Sequence, residues 1–133
     1  MLFLTRGQRQ IVTGVEARVK AELRSNIPVE TLAAEYHIAP STLGKYFRQA
    51  HGISVKEYLT RLRMQHAAEL LESTGLSIGA IAERVGYSHQ GKFGAAFRRC
   101  LGMGPMEYRR QRAALREKRS KNAETELAGD GNL

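Results

Sequence analysis

A chain of 133 residues with a formal net charge of +8 has room for one domain and a short tail. Its composition, 42% hydrophobic and 26% charged with only 3 Pro, is that of a soluble globular protein and excludes Pro-rich and collagen-like classes. The single cysteine, Cys100, excludes a disulfide framework and a multi-cysteine zinc site, and it fits a reducing compartment, most simply the cytoplasm.

The charge is unevenly placed. From Glu117 to Leu133 three cations meet four carboxylates, a net of −1, so the first 116 residues carry +9. That excess suits a polyanion, nucleic acid before anionic lipid. The opening MLFLTRG is too short for a secretory signal core, and no apolar run approaches the length of a membrane span. No membrane partner is expected.

Residues 1–11 read as a lead or linker remnant, ahead of a domain over 12–112. A first helix, from about Gln8 to Arg24, sets Ile11, Val12, Val15, Val19 and Leu23 on one stripe. A first unit spans about 29–51: a short helix from Val29 to Tyr36, a turn at His37-Ile38-Ala39, and a second helix whose first turn takes Pro40. Leu43, Phe47 and Ala50 fall at i, i+4 and i+7 on its inner side. A long helix over about 54–74 opens at Ser54, with Glu57 at capping-box spacing. It carries Tyr58, Leu59, Leu62, Ala68, Leu70 and Leu71 and is expected to stop at Gly75; about 20 residues make roughly 30 Å of rod.

The pattern then recurs over about 77–101. A short helix from Ser77 to Val85 leads to a turn at Gly86-Tyr87-Ser88 and a helix with Phe93, Phe97 and Cys100 on its inner stripe. Gly86 suits a left-handed C-cap, for which His37 is a poorer choice, and Ser88 is expected to N-cap the second helix. A last helix runs from Pro105 to about Arg116, and residues 113–133 form a polar tail expected to lack order. No stretch alternates with period two, so the fold is expected to be all-α, with two helix-turn-helix subdomains joined by a long linker helix.

The two units are copies of one plan. Leu32-Ala33 matches Ile81-Ala82 at an offset of 49, and after one extra residue the offset becomes 50. Leu43 then matches Phe93, Phe47 matches Phe97, Arg48 matches Arg98, Gly52 matches Gly102, and Glu57-Tyr58 matches Glu107-Tyr108. Matched positions are mostly apolar, small or glycine, as when a fold rather than a surface is repeated. The outward faces differ. On the first second-helix lie Ser41, Gly44, Lys45 and Arg48; on its counterpart lie Gln90, Gly91, Gly94, Ala95 and Arg98, flanked by His89 and Lys92. Successive major-groove openings on one face of B-DNA are about 34–36 Å apart, so the rod could offer both helices to adjacent grooves. Gln bonds adenine bidentately and Lys reaches guanine acceptors. Arg48, Arg98, Arg99 and Arg109, with Arg110 and Arg112, sit where they could clamp phosphates, as do Ser88 and His89 at the start of the later helix.

The stretch Leu76 to Arg110 contains Ile81-Ala82, Gly86-Tyr87, Phe93, Phe97-Arg98-Arg99, Gly102, Pro105 and Tyr108-Arg109. In these spaced positions, and in the linker LRMQHAAELLESTGLSI, the chain resembles the DNA-binding domain of the AraC/XylS family of bacterial transcription regulators, over roughly Val12 to Arg112. The resemblance implies about seven helices, promoter-proximal binding of double-stranded DNA, and activation through RNA polymerase. It places the base-reading residues on Ser41, Gly44 and Lys45, with Thr42 beside them, and on Gln90, Gly91, Lys92 and Ala95. Gly44, Gly91, Gly94 and Ala95 have no side chain able to reach a base edge. Either the later helix docks by backbone and shape, or it lets the backbone approach thymine methyls.

The resemblance also implies an effector-sensing domain ahead of this one. The chain is then expected to be the C-terminal part of a longer regulator, monomeric as a domain and dimeric through the effector domain; a stand-alone regulator is the other arrangement. No cofactor is expected. The four histidines lack metal-ligand spacing. An enzyme is not expected, since no phosphate loop, carboxylate pair or nucleophile–base pair appears; the family's cysteine–zinc repair chemistry is excluded by the lone cysteine. The remaining rival is an interaction module that acts mainly through polymerase or a sister regulator and binds DNA weakly. The aromatic stripe of Phe47, Tyr58, Phe93, Phe97 and Tyr108 is expected in the core rather than on bases, with Cys100 an inert neighbour.

Overall fold

A computed structural model describes residues 3–130. Among them are seven helices and no strand: α1 (Arg6–Ala21), α2 (Val29–Ala34), α3 (Pro40–His51), α4 (Val55–Ser73), α5 (Ile78–Arg84), α6 (Gln90–Leu101) and α7 (Pro105–Asp130). No helix among the described residues is long and apolar enough to cross a membrane.

Two cores lie along one shared helix. The first joins Val12, Val15 and Val19 of α1, Leu32 and Ala33 of α2, Leu43 and Phe47 of α3, and Val55 and Leu59 of α4. The second joins Met64, Ala67, Ala68 and Leu71 of α4 to Ile81, Ala82 and Val85, and to Phe93 and Phe97 of α6. Phe47, Phe93 and Phe97 are fully enclosed. Truncating such a ring to Ala typically costs about 3–5 kcal/mol, a large part of a small domain's stability.

The offset of 50 is visible in the geometry. Phe47 meets Tyr58 edge-on at 5.5 Å and 68°, and Phe97 meets Tyr108 at 5.4 Å and 75°. Gly52 and Gly102 end α3 and α6 in the left-handed region, at φ 75° and 82°. The turns inside the units also correspond. The Ile38 N–H donates to Ala33 O at 3.2 Å and the Tyr87 N–H to Ala82 O at 2.9 Å, across a left-handed residue that is Gly86 in one unit and His37 in the other.

Several local expectations are corrected. The first helix begins at Arg6 rather than about Gln8: the Thr5 side chain accepts from the Gln8 N–H and the Gln8 side chain from the Thr5 N–H, a complete capping box. Ala50 is exposed, and Cys100 is half-buried but packed against the second core. The N-cap of α6 is His89 rather than Ser88. Gly75 does not stop α4. Thr74 does, in extended backbone, with its hydroxyl donating to Leu70 O at 2.6 Å. Ser54 accepts from the Glu57 N–H as expected, whereas the Glu57 carboxylate is held by Arg99.

The polar tail differs most. Where residues 113–133 were expected to lack order, α7 continues past Arg116 to Asp130. Between Pro105 and Gly129 the sequence has no Gly or Pro and is rich in Ala, Arg, Lys, Glu and Leu, the strong helix formers, so polarity alone was the wrong guide. Residues 131–133 of that expectation lie outside the described residues.

His37 holds its left-handed position, φ 57°, without glycine's freedom. Replacing His37 with Gly should stabilise the protein by about 0.5–1 kcal/mol, read as a higher urea midpoint at unchanged m-value.

Candidate nucleic-acid interface

In each unit the second helix buries one side and offers the other. On α3, Leu43 and Phe47 face the core, while Ser41, Lys45 and Arg48, at i, i+4 and i+7, are exposed; Thr42 and Gly44 are half-buried beside them. By the offset of 50, the equivalent stripe on α6 is Gly91, Ala95 and Arg98, all exposed opposite Phe93 and Phe97. Ser88, His89, Gln90 and Lys92 are exposed around its N-terminus. The α3 stripe thus presents a hydroxyl, an ammonium and a guanidinium, the α6 stripe a guanidinium and otherwise almost bare backbone. A Cβ added at Gly44, Gly91 or Gly94 would meet no atom within 4 Å. Packing does not demand these glycines.

Gln90 has a specific resting place. Its Oε1 lies 3.1 Å from where a Cβ on Gly79 would sit, so the amide lies back over α5 in the free protein. Gln90, Gly94 and Arg98 form one wall of a groove of about 440 Å³, with Ile78 at one end and Met106 and Arg110 of α7 opposite. The Arg98 Nη2 lies over the buried Gly104, 3.3 Å from the position of an added Cβ. Gly79 and Gly104 were not singled out in the sequence; their signal is small size beside a long polar side chain.

The candidate phosphate clamps divide. Arg48 and Arg98 are the exposed last members of the two outward stripes. Arg99 is partnered: its Nη1 donates to Glu57 Oε1 at 2.8 Å, tying α6 to the start of α4. That hydrogen bond, with Arg61 adding a weaker one, holds the Glu57 carboxyl below its usual range. Arg112 donates to Glu72 at 2.7 Å. Arg109 is engaged within the fold. Its Nε donates to Leu71 O at 3.1 Å and its Nη2 to Thr74 O at 3.3 Å, so a half-buried guanidinium from α7 satisfies carbonyls that the end of α4 leaves open.

Sequence reasoning also passed over Arg63 in the middle of α4, which is 6% exposed. Its Nε donates to Leu23 O at 2.8 Å and its Nη2 to Ser25 O at 3.1 Å, both in the turn that follows α1. It looked like one more cation on a charged helix.

Two helix-turn-helix units on one shared helix, each with its second helix turned outward, define the DNA-binding domain of a transcription regulator. Residues 32–111 match the helix-turn-helix domain family. The chain belongs to the AraC family. The arabinose operon regulatory protein of Escherichia coli K12 is 34% identical over 85 residues, 64% of this chain and 29% of that protein. The C-terminal domain of AraT, a response regulator from Geobacillus stearothermophilus, superposes with a TM-score of 0.73 at 39% identity, covering 77% of this chain and 85% of that one. The DNA-binding domain of the global transcriptional factor AdpA, solved in complex with a target DNA, superposes with a TM-score of 0.72 at 32% identity, covering 82% of this chain and 96% of that one. The chain spans about a third of the length of the curated relatives it matches.

Two measurements check these assignments. Gly44→Ala and Gly94→Ala, both mid-helix with open space around them, should each stabilise the protein by about 1 kcal/mol in urea titration. Arg109→Gln should destabilise it by about 1–3 kcal/mol, a charged hydrogen-bonding group being lost, and leave the salt dependence of DNA binding unchanged. A flattened salt slope would return Arg109 to the phosphate clamps.

Proposed function

We propose that this chain binds an asymmetric duplex of about two helical turns as a monomer, laying α3 and α6 in successive major-groove segments, and activates transcription through RNA polymerase. The reading rests on one observation above all: the exposed Ser41, Lys45 and Arg48 stripe stands opposite a fully buried Leu43 and Phe47. Among the described residues none makes a side-chain hydrogen bond or ion pair with that stripe, and its chemistry is that of a groove reader. The 19 residues of α4 give about 28 Å of axis, of the order of the 34–36 Å between groove openings.

The halves are read as unequal partners. Lys45 specifies bases directly from α3, with Ser41 and Thr42 beside it. Gln90 swings out from Gly79 to do so on α6, where Gly91, Gly94 and Ala95 bring the backbone close to the bases, and Lys92 stands at the edge. Arg48, Arg98, Ser88 and His89 hold phosphates. The bare face of α6 supports a half-site with fewer specified positions, read through shape.

Duplexes selected from a random library by the wild-type protein provide the test. Lys45→Ala and Gln90→Ala should each cost about 1–3 kcal/mol on the selected duplex and relax the sequence preference at one position. Equal losses on selected and random DNA would overturn base reading by that residue. Affinity should also fall by orders of magnitude between about 50 and 200 mM salt. Salt-insensitive, weak binding would favour a module that acts through polymerase or another regulator.

A further inference from the structure

The two cores meet along α4 between Leu62, the last residue packed against the first, and Met64, the first packed in the second. Arg63 lies at that seam. Its side chain leaves the linker helix and reaches both units at once. Toward the first core its guanidinium donates to the carbonyls of Leu23 and Ser25, in the turn that follows α1. Toward the second unit its Cζ stands 5.8 Å from the centroid of the Tyr87 ring, in the helix-turn-helix turn itself.

Gly86 makes the approach possible. A Cβ there would come within 3.1 Å of the Arg63 Cζ and Nη2 and 3.0 Å of Arg24 O, so the turn of the second unit lies directly against both the guanidinium and the first unit's backbone. Beside it, Arg24 Nη2 meets Glu83 Oε1 at 3.0 Å across the same seam. That pair is exposed and contributes little alone. The buried group is the stronger tie. A planar fork donates to two carbonyls in a fixed geometry while lying against a ring, whereas an ammonium is a compact point charge on a flexible stem and imposes no such geometry. Burial pulls the guanidinium pKa below its ordinary value, yet the group remains a cation.

The geometry points to Arg63 as a positioning residue that fixes the angle and separation of α3 and α6 by holding the turn after α1 and the turn before α6 on one guanidinium. The inference rests on the two-helix reading above. Loss of Arg63 leaves the apolar contents of both cores in place and frees the boundary between them, so the effect expected is on how the two helices are spaced rather than on whether each binds.

The test compares a duplex selected by the wild-type protein with the same duplex carrying one extra base pair between its half-sites. The insertion moves the half-sites apart by about 3.4 Å and turns them by about 34°. Wild-type protein should lose affinity about tenfold or more on the insertion, on the scale of a mismatched contact. Arg63→Lys, assayed below its melting transition, should bind the parent duplex more weakly and lose less than about threefold on the insertion. A purely structural role would weaken both duplexes equally and leave their ratio at the wild-type value, which would overturn the assignment. If Arg63→Lys does not fold, Tyr87→Leu, which keeps apolar volume but removes the ring beneath the guanidinium, is read in the same assay with the same expectation. A wild-type protein indifferent to the insertion would overturn the two-helix reading itself. A wild-type penalty retained in full by the folded variant would overturn the role of Arg63 alone.

Discussion

The whole arrangement depends on α4 being built into two cores at once. Val55 and Leu59 complete the first, and Met64, Ala67, Ala68 and Leu71 complete the second, on one uninterrupted run of helical backbone. A flexible linker of the same length would let its ends wander over a broad range of distances. A helix walled in by packing on both halves allows much less. The ends of α4 are secured by different means: the Ser54 hydroxyl accepts the Glu57 N–H at the start, and Arg109 of α7 takes carbonyls at the finish. Arg112 and Glu72 add a second tie from α7, so the last helix braces the shared one.

Much of this could be read from the order of residues, because the repeated positions are those that packing dictates. Leu43, Phe47, Phe93 and Phe97 stand out by period, and the two edge-on Phe–Tyr pairs follow from the offset that relates the units. Gly86 was recognisable because a left-handed turn residue suits glycine. Most of the misses share a cause: they depend on a partner distant in the chain or on competition between local signals. Arg109 meets carbonyls 35 and 38 residues away, and Arg63 meets carbonyls 38 and 40 residues away, so both resembled surface cations. The helical tail was hidden by its polarity. By contrast, the start of α1 was available locally, since Thr5 and Gln8 have capping-box spacing.

Duplication has kept the frame and released the face. Between the units the aromatic pairs, the left-handed caps and the tight turns correspond, while Ser41, Lys45 and Arg48 become Gly91, Ala95 and Arg98. On the proposed reading, the shared arginine is the position that holds phosphate, which every sequence of DNA offers alike, and the positions that differ are those that meet bases. In the candidate site the sequence therefore indicated which faces point outward, but not the resting contact of Gln90 with the space over Gly79, which arises only when α5 and α6 pack.

The continuity of α4 also limits how this kind of protein can change over evolutionary time. Adding one residue to an α-helix advances it by 1.5 Å and rotates everything downstream by about 100°, and adding a whole turn restores the facing but lengthens it by about 5.4 Å. Neither step corresponds to a whole number of base pairs, each near 3.4 Å along the duplex. On the proposed two-groove reading, gene changes that lengthen or shorten α4 would throw the two halves out of phase with DNA, whereas point changes on α3 and α6 would not. New promoters are then reached by altering letters on the outer faces, with the length between them left alone.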